Sequence, residues 1–458
     1  MTRAWLYEQV SRWGLLDPLV EAAFMPVAGA ECLCPARVSG RPLWRGPLVG
    51  ISLTTGRPVT VGLHELYEQE VISGPNAVIL GGYGKGKSSL AKTVYVLRPL
   101  AAGVRVAVFD RKRQRESGRV DSQGEYLPLA AHVGGTVIRF DRRTGRGARI
   151  NILDPAINAE GSEETTVGQD ELLRMVVTTA VDRPLTPEES FALRLAHRAA
   201  LTHATREARV PVIQDVIRAL VNPLDAMASS DLTQNGFITG EELRQWARVV
   251  ALGLDEYVTG DLSGLIDGES TDAGGQPLDL SNPLIVFDTS ALGEGSRALG
   301  LVMAVTSAYV QARWSQMEGR KILINEEAYT TGRLAGVPAV LRAIAKRGRA
   351  TGTAVVTLLH HLSDIPEGSD LWSLVRETDV VHVFAQDKAD DATQAMQFFD
   401  LPAPLLSRIK GLPKGDHILK IGTQPVEIIH HVRTSVEEQL TNTDTGMTTT
   451  DQGMILAA

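Results

Sequence analysis

The chain has 458 residues, 43% of them hydrophobic and 22% charged, with a formal net charge of −8. That length buries a sizeable core in about two to three domains, and the acidic balance excludes a basic nucleic-acid coat while leaving room for a local basic groove or pore. No apolar run reaches the roughly 18 residues of a membrane helix and the start MTRAWLYEQVSRWGLL has no signal-peptide core, so a soluble cytoplasmic protein without stable membrane insertion is expected.

Residues 1–75 read as a small N-terminal segment, with an amphipathic helix over Leu6–Leu16 and a hairpin turning at TTGRP within 48–61. Its two cysteines, Cys32 and Cys34, have no other Cys or His close in sequence. Two reduced thiols are therefore expected in place of a four-ligand zinc site.

From 76 strands alternate with helices. AVIL (77–80) reads as a short buried strand, then comes a Gly-rich loop and a helix from Ser88, then the strands VRVAVFD (104–110) and GTVIRF (135–140). Near-continuous apolar strands of this kind belong to a parallel sheet covered on both faces, which makes the class α/β. Residues 156–265 interrupt the rhythm with helical periods at 172–181, 187–204 and 213–221, read as an all-α insertion. Strands return at LIVFD (284–288), KILIN (321–325), TAVVTLL (353–359), VVHVFA (380–385), HILKI (417–421) and VEIIHH (426–431). The expected division is an N-terminal segment (1–75), two parts of one core (76–155 and 266–435), the insertion (156–265) and a disordered Thr- and Asn-rich tail (436–458).

Gly81, Gly82, Tyr83, Gly84, Lys85, Gly86, Lys87 and Ser88 satisfy G-x-x-x-x-G-K-[ST]. Successive backbone N–H groups must turn inward around phosphates, which demands glycine wherever a Cβ would clash or φ must be positive. The helix that follows aims its free N–H groups at the same anion, Ser89 included. Lys87 then reaches the β- and γ-phosphates of ATP, and the Ser88 hydroxyl takes a position on Mg²⁺. Hydrolysis needs more: a carboxylate near the metal and a base for the attacking water. KILINEEAY (321–329) supplies paired acids at a strand end. Glu326 is expected to support the metal and Glu327 to polarise the water. A shifted register would use Asn325 and Glu326 instead. Asp110 and Asp288 also end apolar strands, each as a single acid.

Taken in order, these blocks resemble the conjugative type IV secretion ATPases, the TraC-like branch of the HerA/FtsK superfamily. SGPNAVILGGYGKGKSSLAK (73–92) is similar to the family's nucleotide loop, and GEYLPLAAHVGGTVIRF (124–140) and RINILDP (149–155) to its next two blocks. LSGLIDGEST (262–271) and LIVFDTSAL (284–292) follow, then NEEAY (325–329) beside the family's DEAW and GRATGTAVVTLLHHLSDI (348–365) beside its sensor block. The resemblance covers roughly 45–435. It implies a RecA-like three-layer αβα core with a helical insertion, assembled as a homo-oligomeric ring, a hexamer, that hydrolyses ATP between subunits. It also implies secretion-channel partners at the inner face of the cell membrane; two other readings stay open, an FtsK-like translocase or coupling protein with DNA as its partner, and a nucleotide-binding scaffold that the changes at Glu326 and His360 have made slow or inert. By the same resemblance His360 takes the γ-phosphate sensor position, and Arg349, with Arg347 beside it, is the candidate arginine finger offered to a neighbouring subunit.

Three departures stand out. Glutamate at 326 replaces the family's aspartate, and His360 replaces its glutamine with a residue type that titrates near neutral pH. Only about 75 residues precede the loop where the family carries a long docking domain, so either a separate protein supplies the docking or this is a stripped-down relative. DLTQNGFITGEE (231–242) partly fits a calcium loop, but Thr233 replaces an acid and no partner hand exists. A helix–turn–helix connection is expected there.

Overall fold

The computed structural model describes residues 44–111, 113–114, 123–142, 147–158, 168–223, 230–293, 296–326, 328 and 337–441. The helix expected at Leu6–Leu16, the two cysteines and Glu327 lie outside the described residues.

The strands are β1 (Leu48–Ser52), β2 (Pro58–Thr60), β3 (Ala77–Leu80), β4 (Arg105–Asp110), a short pair β5 (Arg113–Gln114) and β6 (Gln123–Gly124), and β7 (Thr136–Arg139). After the insertion come β8 (Leu284–Asp288), β9 (Lys321–Asn325), β10 (Thr353–Leu359), β11 (Val380–Phe384), β12 (Asp416–Ile421) and β13 (Glu427–His431). Eleven of them form one sheet in the order β2-β1-β13-β12-β11-β3-β10-β9-β4-β8-β7. The seven from β11 to β7 are parallel, and β12, β13, β1 and β2 continue the sheet antiparallel.

Side chains alternate across this sheet as the pleat requires. Ala77 and Ile79 of β3, with Val106 and Val108 of β4, join one core, whereas Val78, Leu80, Ala107 and Phe109 join the other. The first core is covered by α1 (Leu63–Glu68), by the helix after the phosphate loop and by α3 (Leu127–Val133). That middle helix, α2, starts as α (Lys87–Leu90), passes through a π-helical stretch (Ala91–Leu97) and closes as α (Arg98–Ala101).

The insertion holds α4 (Gln169–Val181), α5 (Pro187–Arg206), α6 (Ile213–Val221), the single turn α7 (Asp231–Gln234) and α8 (Gly240–Thr259). Its apolar residues run without a break into the second core of the sheet. Thr186 with Glu189 and Thr239 with Glu242 form capping boxes that start α5 and α8. Glu242, the last residue of the calcium-like pattern, is thus engaged by Thr239, and the connection is the expected helix–turn–helix. On the same face lie α9 (Arg297–Ser315), α10 (Val337–Thr351), α11 (Asp370–Arg376), α12 (Ala389–Phe398) and α13 (Leu405–Gly411). The architecture is therefore the expected three-layer αβα P-loop fold with helices inserted.

Two segments differ from expectation. The hairpin β1–β2 does not stand apart as an N-terminal unit: β1 pairs with β13 at Gly50↔His431 and Ile51↔His430, extending the core sheet and covering an edge that would otherwise be open. The start of the expected disordered tail is helical, α14 (Ser435–Thr441). Thr434 and Glu437 cap it reciprocally, and Arg98 of α2 pairs with Glu437 at 2.8 Å.

Three histidines are buried where the antiparallel strands cross behind α2. The Tyr95 hydroxyl lies 2.7 Å from His382 Nε2, and the Thr93 hydroxyl 2.8 Å from His431 Nε2. His417 lies with its ring centroid 4.9 Å from that of His382. Burial holds all three neutral, with His417 and His431 lowered to about 3 and His382 well below its ordinary value. Below pH 6.5 the unfolded chain binds protons there that the fold refuses, so stability falls as pH falls. The buried Asp110, raised by burial, acts in the opposite direction. Three histidines against one carboxyl give a net loss of stability between pH 7 and pH 5. Urea midpoints at the two pH values measure it, and equal midpoints would contradict neutral buried histidines.

Candidate nucleotide site

Because β11, β3, β10, β9, β4 and β8 run parallel, their carboxyl ends meet along one edge of the sheet. The phosphate loop leaves β3 at the centre of that edge. At Gly81 an added Cβ would stand 2.5 Å from the Phe384 Cβ, so only glycine lets the loop pass β11. Gly86 turns the chain into α2 with φ of +113°, a left-handed conformation that favours glycine. The loop is pinned on three sides: Gly81 N donates to Leu359 O, Gly82 N to Ala385 O, and Gly415 N to Lys85 O. Lys85 also pairs with Asp387 at 2.7 Å.

Lys87 is buried, and its ammonium bonds the carbonyls of Gly81 and Gly82 and lies 3.0 Å from His360 Nδ1. An ammonium has three donors and no acceptor, so Nδ1 accepts and the imidazole proton sits on Nε2. The tautomer is assigned by this bonding pattern. Tyr83, 70% exposed, stacks on the His360 ring at 3.9 Å between centroids. A second chain of contacts leaves from the same place: Gln386 Nε2 donates to His360 O, and His361 Nδ1 lies 3.1 Å from Gln386 Oε1 and 3.2 Å from Asp391 Oδ2.

On the other side of Lys87, Ser88 Oγ lies 3.4 Å from Glu326 Oε2, and Glu326 Oε1 accepts from the Tyr126 hydroxyl at 2.6 Å. Tyr126 is fully buried, and burial followed by the Glu326 charge raises its phenol well above the ordinary range. Its backbone N–H donates to Asp110 Oδ2 at 2.7 Å. Burial, with Glu326 and Asp288 adding repulsion, pushes the Asp110 carboxyl well above the usual carboxylate range, although the Tyr126 bond pulls it back. Beneath them Lys92 and Glu125 form a buried ion pair at 3.2 Å.

The structure thus brings together the loop Gly81–Gly86, Lys87, Ser88, Glu326 and His360. Ser89 is beside them, with its hydroxyl 3.4 Å from the Thr441 carbonyl oxygen of α14. Arg349 is elsewhere. It sits in the last turn of α10, four residues before β10 begins at Thr353, and lines a pocket with Ile72, Ser73 and Asp379 at the amino ends of β3 and β11, so the length of β10, roughly 23 Å, separates it from its own phosphate loop. Tyr126 and Gln386 also belong to the site, and neither falls in the nucleotide-loop or paired-acid motifs. Gln386 had a usable signal, since it follows β11 much as His360 follows β10.

The oxygen donors fit a magnesium ion. Adjacent ligands of an octahedral Mg²⁺ stand about 3 Å apart, close to the separation of the Ser88 hydroxyl and the Glu326 carboxylate, and a hydroxyl with one carboxylate suits an ion held mainly by phosphates. Among the described residues no group of three or more His, Cys, Asp or Glu could hold a metal without such help.

No family profile matches the chain, and no curated protein does. Solved structures do. VirB4 of Thermoanaerobacter pseudethanolicus superimposes with a TM-score of 0.67 at 19% identity, over 88% of this chain and 100% of that one. The plasmid coupling protein TrwB with the ATP analogue ADPNP gives 0.51 at 15% identity, over 85% and 91% of the two chains. TrwB with ADP and Mg²⁺ gives 0.50 at 14% identity, over 87% and 92%. The chain has the P-loop NTPase fold of VirB4 and TrwB.

Proposed function

We propose that this chain is an ATP-hydrolysing motor of a conjugative or type IV secretion apparatus. The observation that carries the proposal is the joining of Lys87, Ser88, Glu326 and His360 at one sheet edge. The likeness to TrwB, crystallised with ADPNP and with ADP and Mg²⁺, supports a nucleotide and Mg²⁺ at the same edge. In this account Lys87 exchanges the Gly81 and Gly82 carbonyls and His360 for the β- and γ-phosphates, while Ser88 and Glu326 face the metal. Mg²⁺, when bound, neutralises charge developing on the phosphates. His360, in contact with the Lys87 ammonium, senses the γ-phosphate through that contact. Glu327 polarises the attacking water.

A ring explains why Arg349 lies at the far edge of the sheet: from there it can serve a neighbouring subunit. Arg349→Ala and Lys87→Ala should each be inactive alone. Mixed in equal amounts they should regain about a quarter of wild-type turnover, since one random interface in four joins an intact loop to an intact arginine. A mixture as inactive as its parts would remove Arg349 from that role. Docking on channel proteins at the inner membrane face belongs to the same proposal; among the described residues no helix is long and apolar enough to cross a membrane.

The likeness to a plasmid coupling protein favours a second reading, a DNA translocase. ATP turnover with and without single- and double-stranded DNA separates the two. Stimulation that falls steeply with salt favours the translocase. Turnover indifferent to DNA favours the secretion motor, and no turnover with intact nucleotide binding would leave only a nucleotide-binding scaffold.

A further inference from the structure

Glu326 is one methylene longer than the aspartate that the resemblance leads one to expect, and a longer arm has more ways to miss the metal. The structure holds it with Tyr126. The phenol donates to Glu326 Oε1 at 2.6 Å, which leaves Oε2 turned toward Ser88 Oγ at 3.4 Å. The segment that carries Tyr126 is itself fixed at three points. A Cβ at Gly124 would stand 2.5 Å from Asp110 Oδ2, so glycine lets the turn approach. Glu125 pairs with Lys92 of α2, whose ammonium also lies 4.9 Å above the Tyr126 ring. The Tyr126 N–H is held by Asp110.

A buried tyrosine needs some acceptor, and that need alone would place a carbonyl or water at the hydroxyl. Here the acceptor is the carboxylate at the end of β9, and the other oxygen of that carboxylate is the one beside the Ser88 hydroxyl. From this division of the two oxygens we infer that Tyr126 is a positioning residue for the metal side of the site. It fixes the rotamer of Glu326 and so lets glutamate replace aspartate. The inference rests on the proposed Mg²⁺–nucleotide site.

Calorimetric binding of ADP with and without Mg²⁺ tests it. Wild type should bind ADP more tightly with Mg²⁺; absence of that enhancement would sink the nucleotide-site proposal itself, whatever Tyr126 does. Given the enhancement, Tyr126→Phe should keep the metal-free affinity of wild type and lose about tenfold of the Mg²⁺ effect. An undiminished Mg²⁺ effect overturns the inference. Tyr95→Phe is the control, since that buried hydroxyl lies against His382 and not Glu326, and it should leave the Mg²⁺ effect intact. Glu326→Asp probes the other end of the clamp should Tyr126→Phe fail to fold. It removes one methylene and should also lower the Mg²⁺ effect, because the shorter arm cannot reach Tyr126 and Ser88 together. A full effect in Glu326→Asp overturns the inference equally.

Discussion

Lys87→Ala should lose ATP binding and turnover by about a thousandfold or more, the sum of two to three charge-assisted bonds. The geometry makes Lys87 the one ammonium of the loop whose donors converge at the loop's own centre. It bonds Gly81 O, Gly82 O and His360 Nδ1. The loop does not depend on it for shape, because Gly81 N, Gly82 N and the Lys85 carbonyl keep their backbone partners. The variant should therefore melt within a few degrees of wild type while failing to bind a fluorescent ATP analogue. Lys87→Arg should fail as well. A planar guanidinium with a fixed fork cannot match two carbonyls and an imidazole nitrogen set for a rotating ammonium. Wild-type affinity in either variant would break the assignment of the loop.

The phosphate loop was legible because everything that defines it is local: four glycines, a lysine and a serine between a strand and a helix. The parallel strands were legible for a related reason. Runs such as LIVFD and TAVVTLL are buried on both faces, and a continuous apolar run leaves little else for them to be. What depends on distant partners was not legible. The pairing of β1 with β13 joins residues about 380 positions apart and leaves no mark on either strand. Helix α9 is buried on almost every side, so it has no amphipathic stripe to announce it. Tyr126 offered only its place in GEY, and nothing in that tripeptide says that its hydroxyl meets Glu326, 200 residues later. Asp110 was visible as a strand-end acid, but its burial beside Glu326 and Asp288 is a property of strand order.

Glu327→Gln should bind ATP as wild type does and turn it over a hundred to ten thousand times more slowly, the usual worth of a positioned base. Glu327 lies outside the described residues, yet its neighbour constrains its role. Both oxygens of Glu326 are already engaged, one by Tyr126 and one facing Ser88. Asn325, the residue before, is a fully buried member of β9, aligned between Phe109 and Thr357. That arrangement favours the register in which Glu326 supports the metal over the one that assigns Asn325 there. With one oxygen held by Tyr126 and the other facing Ser88 and the proposed metal, Glu326 is poorly placed to take a proton from water as well, and we propose that the base is the next acid along the chain. The two substitutions then separate cleanly: Glu326→Gln should weaken the Mg²⁺-dependent part of binding, while Glu327→Gln should spare binding and stop chemistry. Sizing chromatography of Glu327→Gln with ATP adds a second readout, because an arrested subunit should hold the ATP-bound ring. Full turnover by Glu327→Gln would move the base elsewhere along the sheet edge, and His360, which lies 3.0 Å from the Lys87 ammonium, would be the group to substitute next.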